Sequence, residues 1–382
     1  MPLALLLRVV LISGLAHAYV GVRLLPSLPI GTCGIAGGAI LLALSALLSP
    51  APLLARSLKD GGWSDGLAWL GYLAMGLFSS LFVLTVLRDV ALLGAAMAGW
   101  FAHAPFAKAI AGPSAVAVPV VAFAVTIAGV FNARRLARVV NVRLPIRNLP
   151  QALAGFTIVQ ISDIHVGPTI KQDYLDAIVR RVNGLKPDLV AVTGDVVDGS
   201  VARLRQHVAP LARLQARHGV YCVTGNHEYY SGAEEWVTEL RRLGLHVLMN
   251  EGVVLRHDGA ALLVGGVTDY SAHHFDPAQR SDPQAALAGV TPDVAVKLLL
   301  AHQPRSAAAA AEAGFDVQLS GHTHGGQFLP WNFFVRLQEP FTAGLNRLKN
   351  LLVYTSRGTG YWGPPLRFGA PSEITRLQLV AA

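Results

Sequence analysis

The chain has 382 residues, of which 53% are hydrophobic and only 14% charged, with a mean hydropathy of +0.46. That balance excludes an ordinary soluble globular protein. The net charge of +8 beside long apolar runs reads as affinity for anionic lipid headgroups, and no nucleic acid partner is expected.

The apolar excess is confined to the first third. Residues 1–132 carry as cations only Arg8, Arg23, Arg56, Lys59, Arg88 and Lys108, and as anions only Asp60, Asp65 and Asp89. A membrane span needs about 20 mostly apolar residues. Stretches 24–55, 66–87 and 109–133 lack Lys, Arg, Asp and Glu altogether and predict three helices. Segment 2–22 is interrupted by Arg8 and His17, and its Ala16-His17-Ala18 resembles a signal-peptidase site, so it is either a first span or a cleaved signal peptide. The expectation is an all-α transmembrane region of about four helices, near 2–22, 30–54, 66–87 and 112–132. Residues 90–107 are charge-free but short and hold His103 and Pro105, which sets them apart as an interfacial or re-entrant piece.

Orientation follows from the cations. Arg134, Arg135, Arg138, Arg143 and Arg147 follow the last apolar run, and Arg56 and Lys59 lie in the middle loop, against Arg23, Arg88 and Lys108 on the other side. The positive-inside rule then puts the C-terminal part in the cytoplasm. The apolar runs hold no carboxylate of the kind a transporter uses. Residues 133–150 read as a basic, proline-punctuated linker lying along the headgroups. Cys33, in an apolar run, and Cys222, in a predicted strand, form no disulfide framework, which fits a reducing compartment.

From residue 151 a globular domain begins. An alternating strand at 156–161 ends in Ser162-Asp163-Ile164-His165, and a helical stretch at 170–185 stops before Pro187. A buried strand at 189–193 ends in Gly194-Asp195-Val196-Val197-Asp198, and a helix at 201–217 leads to strand 220–224, which ends in Gly225-Asn226-His227-Glu228. Strand and helix alternate as in βαβ units, whose ligands bind beyond the carboxyl ends of the strands. A helix at 233–243, a strand at 247–249 and a hairpin turning on Asp258-Gly259 follow. Strand 296–300 ends in Ala301-His302-Gln303-Pro304, and strand 315–319 leads into Gly321-His322-Thr323-His324-Gly325-Gly326-Gln327. Strands at 351–355 and 374–380 close the domain. The expected fold is α/β, a two-sheet sandwich flanked by helices.

Seven strand-end groups collect here: Asp163, His165, Asp195, Asn226, His302, His322 and His324. Carboxylate, imidazole and amide oxygen together suit Mn, Fe or Zn. Seven ligands exceed one tetrahedral site, whereas two divalent ions sharing a carboxylate, about 3.5–4 Å apart, would use them all. Such a pair attracts a phosphate and acidifies a bridging water into a hydroxide nucleophile. His227, beside Asn226, is the candidate general acid for the leaving alkoxide.

Asp-x-His, Gly-Asp-x-x-Asp, Gly-Asn-His-Glu, a lone His and Gly-His-x-His, in this order over residues 150–382, resemble the calcineurin-like metallophosphoesterase superfamily. The apolar helices, Gly-His-Thr-His-Gly-Gly-Gln and Ser356-Arg357-Gly358-Thr359-Gly360 resemble its membrane-associated bacterial branch. The resemblance implies one metal on Asp163, His165 and His324, the other on Asn226, His302 and His322, and Asp195 as the bridge. It makes His227 the acid, Glu228 a supporting partner, and Asp198 a motif position that is not a ligand. Many soluble phosphatases of the superfamily have Arg-Gly after this aspartate. Here Gly199-Ser200 follow, which argues against phosphoprotein substrates.

His246, His273 and His274 lack strand-end context and read as non-functional, and Asp269 is not assigned to the site. The aromatic run 328–335 suits either core packing or a membrane-dipping lip, and Tyr229 and Tyr230 either packing or a leaving-group pocket. The expected protein is a multi-pass protein of the bacterial inner membrane. It hydrolyses a phosphomonoester, phosphodiester or pyrophosphate bond of a lipid-linked substrate. The alternative from another class is a non-catalytic, metal-dependent membrane binding or scaffold protein.

Overall fold

A computed structural model describes residues 3–55, 62–289 and 293–382. Arg56 and Lys59, two cations of the orientation argument, lie outside the described residues, as do Asp60 and Pro2. The chain divides into two compact units, Met1–Phe131 with Gly363–Leu366, and Asn132–Trp362 with Arg367–Ala382.

The first unit is helical: α1 (Leu3–Leu24), α2 (Thr32–Leu48), the short α3 (Ala51–Ala55), α4 (Gly62–Ala102) and α5 (Phe106–Arg134). Among the described residues four helices are long and apolar enough to cross a membrane, Leu7–Ser27, Thr32–Leu53, Gly62–Ala102 and Phe106–Arg134. Their outer faces expose Leu11, Ile12, Leu15, Leu41, Leu93 and Phe131, which is unfavourable in water but not in hydrocarbon.

Two expectations are corrected here. Residues 90–102 are not a separate re-entrant piece, because α4 runs unbroken for 41 residues. At 1.5 Å per residue it is about 60 Å long, twice the roughly 30 Å hydrocarbon core. Nor is Arg88 a loop cation. It lies inside α4, buried, donating to Ser114 Oγ (3.0 Å) and to the carbonyls of Arg23 (3.1 Å) and Ala111 (3.0 Å). The adjacent Asp89 takes both guanidinium nitrogens of Arg23 at 2.8 and 2.9 Å and the hydroxyl of Tyr19 at 2.8 Å. With their charges met by α1 and α5, Arg88 and Asp89 do not break the helix.

The second unit contains two six-stranded sheets. The first follows β1 (Arg138–Ile146), β2 (Thr157–Ile161), β3 (Leu189–Thr193), β4 (Val220–Val223), β5 (His246–Val247) and β12 (Glu373–Ala381), in the order β1-β12-β2-β3-β4-β5. The second comprises β6 (Glu251–His257), β7 (Ala260–Gly266), β8 (Val294–Leu300), β9 (Val317–Ser320), β10 (Gly344–Leu348) and β11 (Leu351–Thr355), ordered β10-β11-β9-β8-β7-β6. Helices α6 (Gln172–Asn183), α7 (Val201–Val208), α8 (Asn226–Ser231) and α9 (Ala233–Arg242) belong to the first half, α10 (Ala307–Ala313) and α11 (Trp331–Val335) to the second.

The strand period of two sorts side chains between layers. On β2, Ile158 points into the core between the sheets with Leu189, Leu262, Leu298 and Leu319, while Val159 and Ile161 pack under Leu175, Ile178 and Trp236 of the covering helices. Leu263, Leu299 and Val353 form the outer layer of the second sheet with Ala307, Ala310 and Phe315.

The domain also starts earlier than residue 151. Nine residues of the expected linker form β1, parallel to β12 from Arg138↔Glu373 to Ile146↔Ala381. Leu144 and Ile146 are buried while Arg138, Asn141 and Arg143 face out. The basic residues mark the solvent face of an edge strand, and an edge also tolerates Pro145. β10, on the far edge of the second sheet, likewise has no counterpart among the expected strands.

Candidate active site

The parallel strands β2, β3, β4, β8 and β9 end at one place, and the chain leaves most of them through left-handed residues. Asp163, His165, Asp195, His322 and His324 have φ between 51° and 70°. For residues other than glycine this conformation costs about 1–2 kcal/mol each, and such strain gathers where side-chain direction is functional. Space is equally tight. A Cβ on Gly225 would lie 2.2 Å from Asp195 Oδ1, and one on Gly321 2.2 Å from Asp163 Oδ2, so only glycine fits either turn.

These turns bring the sequence-derived side chains together. Asp163, His165 and His324 form one group with ligand atoms within 4.8 Å of each other, and Asp195, His302 and His322 form another. His165 Nε2 is 3.0 Å from His324 Nε2, which is 3.5 Å from Asp163 Oδ1. In the second group His302 Nε2 is 3.3 Å from His322 Nδ1. Asp195 Oδ2 lies between the groups, 3.8 Å from His165 Nε2 and 3.2 Å from His302 Nε2.

Outer partners set the imidazole tautomers. His302 Nδ1 is 2.7 Å from the Thr193 carbonyl, which can only accept, so Nδ1 carries a proton and Nε2 is the nitrogen that faces inward. His165 does the same through Asp198 Oδ1 at 3.2 Å. His324 differs: its Nδ1 lies 3.0 Å from Nη2 of Arg367, a fully buried guanidinium that also donates to the carbonyls of Gly360, His324 and Arg357. Burial first, then Arg367, keeps the His324 imidazole from protonating. Burial and His302 push His322 down to about 3.

The carboxylates answer the surrounding charge. Burial alone would raise Asp195, but His302 and His227 outweigh it and hold the carboxyl well below its usual range. Burial would likewise depress His302, and Asp195 and Asp163 instead hold it well above the ordinary imidazole value. Glu228 accepts the backbone N–H groups of Gly225 (2.7 Å), Asp195 (2.9 Å) and Val196 (2.8 Å), locking the β3 and β4 turns together, while burial and then Asp195 push it up to about 7.

His227 Nδ1 bonds to Asp198 Oδ1, its backbone N–H donates to Asp195 Oδ1 at 2.9 Å, and its Nε2 lies 3.9 Å from Asp195 Oδ2. Burial works against its charge, yet Asp195 and Asp198 push it up to about 9. Asp198 thus orients two imidazoles at once, a role that its motif position did not reveal.

The donor set fits divalent cations. Inward-facing Nε2 atoms of His165 and His302, two buried carboxylates, and a buried Asn226 Oδ1 without a hydrogen-bond partner are groups that a cation would satisfy together. Other histidines stay apart: His246 stacks on Tyr221, and His273 pairs with His274. Asp269 is buried, but its oxygens accept from Ser271 and Gln303. Sequence reasoning missed Arg367, whose 43-residue separation from His324 leaves no local signal.

The family model for calcineurin-like phosphoesterases matches residues 156–326. A transmembrane protein with metallophosphoesterase domain from Bos taurus is 41% identical over 269 residues, 67% of this chain and 60% of that protein. An uncharacterized metallophosphoesterase of Aquifex aeolicus is 33% identical over 219 residues, 57% of this chain and 82% of that one. A dimetal phosphatase from Danio rerio aligns over 54% of this chain and 88% of its own at 14% identity and a TM-score of 0.36. The matches cover 60% or less of the Bos taurus relative and its first companions.

Proposed function

Because this chain belongs to the calcineurin-like metallophosphoesterase family, we propose that it is a membrane-anchored, metal-dependent phosphoric ester hydrolase. Its substrate is a lipid-linked phosphomonoester, phosphodiester or pyrophosphate. Asp163, His165 and His324 would hold one divalent cation (Mn, Fe or Zn), Asn226, His302 and His322 a second, and Asp195 both. The observation that carries this reading is Asp195 Oδ2, which reaches toward His165 on one side and His302 on the other. Bound there, the two cations would neutralise the phosphate and acidify the attacking water.

The chain's own groups do the rest. His227 directs Nε2 into the site while Asp198 holds Nδ1, so it can hand a proton to the leaving oxygen. Glu228 fixes the turns that carry Asp195 and Asn226. Two features support a lipid-linked substrate. The chain carries its own candidate spans. In addition, α11, which packs on the turn holding His324, leaves Trp331, Phe333, Phe334 and the following Leu337 exposed. The arginine cluster after α5 supports a cytoplasmic catalytic domain at a bacterial inner membrane.

The test uses the full chain in detergent with Mn and bis-p-nitrophenyl phosphate. Two metals per chain and turnover lost in Asp195→Asn are expected. Fewer than two metals together with no turnover overturns the enzyme reading in favour of a non-catalytic binding protein. A reporter fused after Ala382 that is active only outside the cytoplasm overturns the orientation.

A further inference from the structure

The imidazole of His227 is framed by aromatic rings for which the phosphate chemistry has no use. Tyr230, one turn further along α8, lies with its ring centroid 5.2 Å away at 68°. Trp362 lies on the same imidazole at 5.8 Å and 75°. Phe275 extends the wall, 5.7 Å from Tyr230. All three stay open, at 60%, 49% and 51% exposure.

Trp362 is held in place. Gln327 Nε2 donates to its carbonyl at 2.8 Å, and its own N–H donates to Gln327 Oε1 at 2.9 Å. Gln327 closes the Gly-His-Thr-His-Gly-Gly-Gln motif with φ 56°, so the turn that carries His324 also positions Trp362. That gives a task to the last residue of the motif, which ligation leaves unused.

We propose that Tyr230, Phe275 and Trp362 form the binding site for the leaving alcohol, and that this alcohol is the apolar, lipid end of the substrate. The inference rests on the phosphoesterase reading and deepens it. The leaving oxygen must come within reach of His227 Nε2, so whatever that oxygen carries lies against the rings beside the imidazole. An acyl or alkyl body removes their surface from water, whereas a charged headgroup leaves it wet. The bond broken is therefore the phosphorus–oxygen bond on the lipid side. Water oxygen adds to phosphorus, that P–O bond breaks with its electron pair on the lipid alkoxide, and the His227 proton completes the alcohol. One proton of the water restores His227, and the other stays with the phosphate. The products are a neutral lipid alcohol and a phosphorylated headgroup.

The test offers the full chain, loaded with Mn in detergent micelles, dodecyl glyceryl phosphate in ¹⁸O water. Dodecanol and ¹⁸O-labelled glycerol phosphate are expected, whereas glycerol and labelled dodecyl phosphate overturn the proposal. Cleavage of bis-p-nitrophenyl phosphate with neither alcohol released also overturns it, while no cleavage of either ester by metal-loaded protein removes the phosphoesterase reading itself. Trp362→Ala, Tyr230→Ala and Gln327→Ala should lower the preference in kcat/KM for a dodecyl over a methyl leaving group about tenfold at equal metal content, mainly through KM. Trp362→Phe should keep the preference. An unchanged preference in Trp362→Ala with two metals bound overturns the site.

Discussion

Both units bury histidine and arginine, but they satisfy them differently. In the helical unit the buried His17 and Arg88 each have their own partners. His17 lies 2.7 Å from the Ser13 carbonyl and 3.0 Å from Ser45 Oγ with its ring stacked on Phe78, and all three arms of Arg88 reach acceptors. In the phosphoesterase domain the groups crowd instead. Imidazole nitrogens face each other at 3.0 Å, and Asn226 Oδ1 has no partner. Buried polar atoms are normally paired. A saturated cluster therefore reads as structure, and an unsaturated one as a place prepared for a ligand. The contrast also explains why His17, an ionisable group inside a candidate span, is not assigned a catalytic task.

The comparison can be broken at several points. The largest effect should come from Asp195→Asn, which removes the carboxylate reaching toward both groups. Turnover should fall on the order of a thousandfold or more and bound metal should drop, read by steady-state kinetics and elemental analysis. Asp198→Asn spares every candidate ligand but loosens two imidazoles. A loss of about 10–100-fold in metal affinity is expected by chelator competition, and an unchanged affinity would show that ligand orientation does not depend on Asp198.

Changes in the saturated clusters should leave metal content alone. Arg88→Leu deletes three hydrogen bonds, and at about 0.6 to 1.7 kcal/mol for each such contact in a membrane protein a lowered midpoint of unfolding in detergent is expected, with metal per chain unchanged. Ser45→Ala removes one partner of His17 and should cost about 0.6 kcal/mol by the same measurement.

The smallest effect concerns His218, whose Nε2 is 2.9 Å from His257 Nδ1, with Arg217, Asp188 and Asp258 nearby. Burial and then His257 lower its pKa. Folding thus favours the neutral ring, and its contribution is present above about 6.5 and is lost as pH falls from there through the lowered folded value. The thermal midpoint should drop over that window and His218→Gln should flatten the drop. An equal drop in the variant would assign the dependence to other groups.

The two units were also legible to different degrees. Hydropathy located the long apolar helices because about 20 apolar residues in a row carry their own signal. It misjudged 90–102 because the partners that keep Arg88 and Asp89 inside α4 come from α1 and α5. Charge hid β1: Arg138 and Arg143 suggested a headgroup linker, while Leu144 and Ile146 were already alternating with them.

By itself the sequence determined the strand ends and their chemistry. Each polar cluster follows an apolar run at a turn, and short-range sterics put Asp163, Asp195 and His322 at the tips whatever the global arrangement. Tertiary structure alone decided who meets whom. β12 inserts between β1 and β2 although more than 200 residues separate it from either, and the loop before it supplies Arg367 to His324 and Trp362 to His227. Contacts between residues 43 and 135 positions apart depend on sheet order and loop path. Both come from packing two apolar faces together, which local patterns do not encode.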